Sequence, residues 1–205
     1  SSCQSSNKLN SYNLTREKVI SFVVRNLPSD MPVVSTTGMA SRELFEIREE
    51  NNMSHSRDFL TVGGMGHASQ IAAGIAFSRS HQKVICIDGD GALLMHTGAL
   101  AISADCNNLI HLLINNEAHD SVGGQPTKGD SVCFYKIALN FGYSKSFNVT
   151  CLDELDYALK QSIMSKNSCF IEVHCCTGSR EDLGRPNRTP RQNMNDFISF
   201  LNSKS

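Results

Sequence analysis

The sequence predicts an α/β domain of three layers, α/β/α, with helices on both faces of a central parallel sheet. Three observations carry that prediction. Val84-Ile85-Cys86-Ile87 and Leu109 to Ile114 are continuous apolar runs without alternation, as strands covered on both faces are. Strand-like runs alternate with helix-period segments in the order βαβαβ, and no internal repeat is visible. Small polar clusters, Gly89-Asp90-Gly91 and Asn115-Asn116, close the two central runs, which is where open sheets of this kind carry ligands.

Residues 1–14 are rich in Ser and Asn and read as a tail or linker before a single domain over 15–205. Thr15, followed by Glu17 and then Val19, Ile20, Phe22, Val23 and Leu27, predicts a capped amphipathic helix ended by Pro28 and Pro32. A short strand at Val33-Val34-Ser35 runs into Thr36-Thr37-Gly38, and a second helix is expected from Ser41 to about Glu50. Phe59 to Val62 reads as a brief strand. After Gly63-Gly64-Met65-Gly66-His67 comes a helix of small residues, Ala68, Ala72, Ala73, Gly74 and Ala76, suited to close packing on a sheet or another subunit. Leu93 to Ala104 is the expected crossover helix between the central strands. Helices at Tyr135–Phe141 and Leu152–Met164, a buried strand at Cys169–His174, an irregular basic-tinged segment at Gly178–Pro186 and a last helix from about Asn193 to Leu201 complete the chain.

The 205 residues suffice for one full core, and with 40% hydrophobic and 19% charged residues the composition is that of an ordinary globular protein. A formal net charge of −1 gives no overall basic footprint for nucleic acid and no polybasic case for a membrane surface. The chain contains no apolar run of the roughly 18 residues a membrane helix needs, and the polar start lacks a signal-peptide pattern, so the cytoplasm is the expected location. The eight cysteines are scattered without a CxxC, which argues against a zinc or redox motif. The three Asn-x-Thr sequons are taken as chance.

Gly89-Asp90-Gly91 alone is ordinary turn chemistry. Placed at the end of a buried strand, with Asn116 at the end of the next, it suggests a cation and phosphate site. A hard cation such as Mg²⁺ takes oxygen ligands and keeps phosphate oxygens and water among them. Asp90 offers a carboxylate, Asn116 an amide oxygen and Ala118 a backbone carbonyl, while Gly91 and Ala92 present backbone N–H groups to a phosphate. His119 lies close enough in sequence to any metal at Asn116 to be a candidate catalytic group. Asp120 is a second candidate for contacting substrate, with capping of the next helix as its plainer role.

These words together resemble a known family. Ser35-Thr36-Thr37-Gly38 through Ser41 to Glu46, Val62 to Ala68, Asn115 to Thr127, and Gly178-Ser179-Arg180 to Arg185-Pro186 are similar to the phosphonopyruvate decarboxylases, which use thiamine diphosphate. The likeness covers nearly everything after residue 14. It implies the thiamine-diphosphate-binding fold and Mg²⁺ held by Asp90, Asn116 and Ala118. It also implies cofactor contacts from Thr37, Gly38, Gly63, Gly64, Met65, Gly89, Gly91, Ala92, Asn116, Ser121 and Val122. Within that set, the Gly63 carbonyl would accept from the pyrimidine amine and Met65 would wedge the cofactor into a bent shape. Arg42, Arg180 and Arg185 are candidates for holding an anionic substrate group, since a planar cationic fork suits a phosphonate.

The whole enzymes of that family also contain a pyrimidine-binding domain, and no second α/β domain fits before residue 14. The expectation is therefore half an active site, completed by a pyrimidine-binding domain on a missing segment or another chain and acting on a small-molecule 2-oxo acid. Symmetric self-association is also expected. Two alternatives stand beside this reading: the β subunit of a sulfopyruvate decarboxylase, and a non-catalytic module that keeps the fold.

Overall fold

A computed structural model of the chain describes residues 12–203. The expected tail over 1–14 lies outside the described residues as far as position 11. Of its last three residues, Tyr12 stacks on His174 with ring centroids 5.0 Å apart, and buried Leu14 accepts a hydrogen bond from the Cys176 amide at 2.8 Å.

Helix α1 spans Arg16–Asn26, and the Thr15 hydroxyl accepts the Lys18 amide at 3.2 Å, so the expected cap is formed. Strand β1 is Val33–Ser35 and helix α2 is Met39–Glu50, starting earlier than Ser41 because Gly38, at φ +95°, turns the chain directly into the helix. Strand β2 is Asp58–Leu60 and helix α3 is Ala68–Ser78. Strand β3, Val84–Gly89, passes without a loop into α4, Asp90–Met95. The single crossover helix expected over Leu93–Ala104 is instead broken: a 3₁₀ turn at Thr97–Ala99 separates α4 from α5, Leu100–Ser103. His96 leaves helical geometry, and the Thr97 hydroxyl donates to the Leu93 carbonyl at 3.0 Å, competing with the backbone ladder just before Gly98.

Strand β4 is Leu109–Asn115, followed by a small antiparallel pair, β5 at Ala118–His119 and β6 at Gln125–Pro126. Helix α6 is Phe134–Asn140, strand β7 is Lys145–Val149, helix α7 is Leu152–Met164, strand β8 is Cys169–His174 and helix α8 is Pro190–Ser203. The sequence reading missed β7, because Lys145-Ser146-Phe147-Asn148-Val149 is a sheet-edge strand with mostly exposed or half-exposed residues and no apolar run.

All six long strands are parallel, in the order β2-β1-β3-β4-β8-β7, with registers such as Val34 to Cys86, Ile87 to Leu112 and Ile114 to Val173. One core joins α1, α2 and α7 to Ile85, Ile87, Ile110, Leu112 and Ile171. On the other face Val84, Cys86 and Leu109 meet the alanines of α3, and Leu113 and Phe170 meet α5 and α6. The expected three layers are thus formed, each buried Leu or Ile side chain contributing roughly 1.5–3 kcal/mol of transfer free energy. Helix α8 covers the β2 edge: Asn193 accepts the Leu60 amide at 2.9 Å and donates to the Asp58 carbonyl at 2.7 Å. Among the described residues no helix is long and apolar enough to cross a membrane.

Candidate functional site

The chain leaves β1 outward to β2 and returns to β3 on the other side of β1, which makes β1 and β3 a topological switch point. A cleft opens there, at the carboxyl ends of the strands. Thr36 and Thr37 reach it from β1, Gly89 to Ala92 from β3, and Ile114 and Asn116 from the end of β4.

Asp90 is 1% exposed, and its carboxylate accepts the Thr127 hydroxyl. Burial raises its pKa from 3.8 to about 6, while the Thr127 hydroxyl, the amides of Gly91 and of Asp90 itself, and nearby His119 pull it down. Its hydrogen-bond partners are a hydroxyl and backbone amides rather than a lysine or arginine. A carboxylate desolvated in this way at the wall of a cleft is suited to a cation that brings its own charge. Thr36 adds an orphan: its hydroxyl is buried at the cleft wall with no hydrogen-bond partner.

The two asparagines separate in role. Asn115, fully buried, donates to the Gly129 carbonyl at 3.0 Å and to Glu172 at 2.9 Å, tying β4 to β8 and to the 127–129 turn. Asn116 lines the cleft, and its amide nitrogen donates to Asp120 at 2.7 Å. Glu117 follows at φ +59°, the left-handed region, held by Asn115 Oδ1 on its amide and Thr127 N–H on its carbonyl. That turn brings Ala118, His119, Asp120 and Ser121 to the cleft. The His119 ring lies so close to Gly91 that a Cβ there would sit 2.6 Å from Cε1, and a Cβ on Gly129 would sit 2.6 Å from Asp90 Oδ2. A side chain at either position would force its neighbours to shift.

Eleven of the residues singled out in the sequence therefore share one cleft wall: Thr37, Met65, Gly89, Asp90, Gly91, Ala92, Asn116, Ala118, His119, Asp120 and Ser121. Four of the expected cofactor contacts do not line it. A Cβ on Gly38 would sit 3.3 Å from Ser121, Gly63 and Gly64 are exposed at positive φ, and Val122 is 69% exposed. His67 is exposed and meets His96 edge-on, away from Asp90. None of Arg42, Arg180 and Arg185 lines the cleft: Arg180 is held by Glu17 at 2.8 Å and by Glu46, and Arg185 is exposed. The arginine that reaches it is Arg16, which the sequence reading did not select. Thr36 and Thr127 lie within stretches quoted for the resemblance but were given no role, and Gly129 lies outside those stretches and reaches the site through the fold.

A second group of metal-ligating types, Cys86, Asp88 and His111, lies just behind the cleft with its ligand atoms within 4.8 Å of one another. It is satisfied internally: Asp88 accepts the Gly89 amide at 2.9 Å, and His111 bridges Asp88 at 3.3 Å and the Tyr143 hydroxyl at 3.1 Å. Burial pushes the Cys86 thiol well up, away from the thiolate a metal takes.

Fold and site together define an α/β domain that presents a ligand cleft at the switch point of a parallel sheet. Residues 34–173 match the model of the family described as thiamine pyrophosphate enzyme, C-terminal TPP binding domain, and the chain belongs to that family. It is 35% identical over 189 residues to a phosphonopyruvate decarboxylase of Streptomyces viridochromogenes, covering 91% of this chain and 46% of that protein. It is 32% identical over 161 residues to the sulfopyruvate decarboxylase subunit beta of Methanocaldococcus jannaschii, covering 77% of this chain and 81% of that subunit. The chain thus spans less than half of the first relative and most of the second. Among solved structures, benzoylformate decarboxylase from Polynucleobacter necessarius superposes with a TM-score of 0.71 at 17% identity, over 87% of this chain and 36% of that one, a likeness of fold.

Proposed function

We propose that this domain holds the diphosphate end of thiamine diphosphate through a Mg²⁺ ion and forms the cofactor-binding part of a 2-oxo acid decarboxylase. The observation that carries the reading is Asp90, a carboxylate buried at the cleft wall with its pKa lifted to about 6 and no lysine or arginine on it. The donor set fits a hard cation: the Asp90 carboxylate, the Asn116 amide oxygen and the Ala118 carbonyl are all oxygens on one wall. The amides of Gly91 and Ala92 and the hydroxyls of Thr36 and Thr37 suit phosphate oxygens, with Gly38 and Gly89 leaving room for close approach. Met65 supplies apolar bulk and Ser121 a hydroxyl at the same wall; the Gly63 carbonyl, Gly64 and Val122 are proposed as further cofactor contacts.

When bound, the cofactor supplies an electron sink for the loss of CO₂. The chain's own residues orient it, exclude water behind it and handle a proton. His119, packed on Gly91 beside Asp90, is the cleft group suited to proton transfer. The favoured substrate is 3-phosphonopyruvate, converted to phosphonoacetaldehyde and CO₂, in keeping with 35% identity across 91% of the chain. Sulfopyruvate is the second candidate, favoured by the match to 81% of a β subunit. The partial coverage of one relative and the subunit status of the other agree with a partner domain or chain; the proposed partner is a pyrimidine-binding domain on another segment or chain, and the whole is proposed to self-associate. A cytoplasmic setting agrees with the free cysteines among the described residues.

Calorimetry tests the reading: thiamine diphosphate should bind in the presence of Mg²⁺, and Asp90→Ala should abolish the metal-dependent part. Absence of Mg²⁺-dependent binding, even with a pyrimidine-domain partner present, would leave a non-catalytic module. Parallel turnover assays on the phosphonate and the sulfonate in the completed assembly decide the substrate.

A further inference from the structure

Asp120 sits in the cleft wall, yet its carboxylate is turned towards the protein. Its Oδ2 accepts three hydrogen bonds, from Arg16 Nη1 at 2.7 Å, from Asn116 Nδ2 at 2.7 Å and from the Gly178 amide at 3.1 Å. Arg16 is itself clamped, with Nε and Nη2 each 2.8 Å from the two oxygens of Glu43. Arg16 is 6% exposed and Glu43 1%, so the fork is fixed in place and remains charged.

An asparagine amide has a donor end and an acceptor end of nearly the same shape, and only the oxygen end can ligate a cation. An ionised carboxylate accepts and never donates, so Asp120 selects the nitrogen end of Asn116 and turns the oxygen end away from itself. Arg16 and the Gly178 amide hold the Asp120 carboxylate in place for that task. Both lie outside residues 34–173, the part matched by the family model, Arg16 on α1 and Gly178 beyond β8.

Resting on the cofactor reading above, we infer that Asp120 is a positioning residue for Asn116, and that the two flanking segments set the metal loop through it. Helix α1 and the chain after β8 then contribute to the cofactor site through Asp120.

The effect is readable in two ways on the 205-residue chain. In titrations with Mg²⁺ and thiamine diphosphate, Asp120→Ala should weaken metal-dependent affinity about tenfold or more, the usual scale for a residue that orients a metal ligand. Asp120→Asn, whose amide oxygen still accepts, should weaken it much less. In an Asn116→Asp background the ligand has no amide to orient and Asp120 faces a like charge, so Asp120→Ala should there raise the affinity. Equal losses in both backgrounds would mean a merely structural residue and overturn the inference. Independently of any ligand, the Asn116 side-chain amide protons should exchange with water at least about tenfold faster in Asp120→Ala than in the unaltered chain, with melting temperature followed alongside. Unchanged exchange would also overturn it. If the unaltered chain binds no Mg²⁺-thiamine diphosphate even with a pyrimidine-domain partner present, the cofactor reading fails and the exchange measurement alone decides the orientation.

Discussion

Asp58 and Asp90 are both aspartates buried to 1% exposure, and they stand at opposite ends of the sheet's strands. Asp58 opens β2 and is gripped by Arg48, with Nε on one carboxylate oxygen and Nη2 on the other, each at 2.8 Å. Asp90 follows the carboxyl end of β3 and is met by a threonine hydroxyl and backbone amides. The first is a closed pair whose charges cancel within the fold. Desolvation lifts both carboxyls above the usual range, but at Asp58 the Arg48 charge opposes it directly, whereas Asp90 has a hydroxyl and backbone amides for hydrogen-bond partners and faces a cleft. Burial alone does not mark a functional carboxylate; burial without a counter-charge does.

The largest expected effect falls on the closed pair. Asp58→Ala leaves the Arg48 guanidinium buried without a counter-charge and should destabilise the fold by about 3–5 kcal/mol in denaturant unfolding, with intrinsic cofactor affinity little changed in the molecules that remain folded. Asp90→Ala should do the reverse: about a hundredfold or greater loss of Mg²⁺-dependent thiamine diphosphate affinity by calorimetry, roughly 2.7 kcal/mol, without a matching loss of stability.

The same contrast has a pH signature. Because burial raises the Asp90 pKa from 3.8 to about 6, the folded chain holds that proton more tightly than the unfolded chain, and ionisation above about pH 6 weakens the fold. In metal-free buffer Asp90→Asn should therefore raise the melting temperature at pH 7, and the gain should fade as pH falls from about 6 towards 4. A loss of stability at pH 7 would break the comparison.

Gly129→Ala comes next. Its Cβ would meet Asn115 Oδ1 at 2.4 Å and Asp90 Oδ2 at 2.6 Å, so about 1–3 kcal/mol of overpacking should appear together with weakened metal-dependent binding. A change in stability alone would detach the 127–129 turn from the site. The smallest effect is expected at an aspartate of a third kind: exposed Asp156 pairs with Lys160 at 2.6 Å along α7, and Lys160→Ala should shift stability by under about 0.5 kcal/mol and leave binding untouched.

Much of this was legible beforehand, and the boundary of what was legible has a physical basis. Buried strands declare themselves by unbroken apolar runs, so β3, β4 and β8 were read where they lie. Strand β7 was not, since half its residues face solvent and its place in the sheet rests on backbone pairing with β8. The crossover helix was read as continuous over Leu93–Ala104, and Leu93, Leu100 and Ala104 do enter one core, yet a side-chain hydrogen bond at Thr97 breaks the helix between them. In the site, Asp90, Asn116 and Ala118 followed from local motifs at strand ends. Arg16 and Gly129 carry no motif at all, and Thr127 closes a quoted stretch without any sign of its bond to Asp90. Arg180 misled for a related reason: its charge was legible, but Glu17 and Glu46, distant in sequence, claim it.

The sequence by itself determined the layered parallel sheet and the oxygen-rich turns at its carboxyl edge, because apolar periodicity and Gly-Asp-Gly chemistry act over neighbouring residues. Only the tertiary structure decided how Asn115 is tied into the core and that Asp120 turns inward. Those choices are made by hydrogen bonds with Arg16, Gly129, Glu172 and Gly178, groups that become neighbours of β4 and its following turn only once the chain has folded.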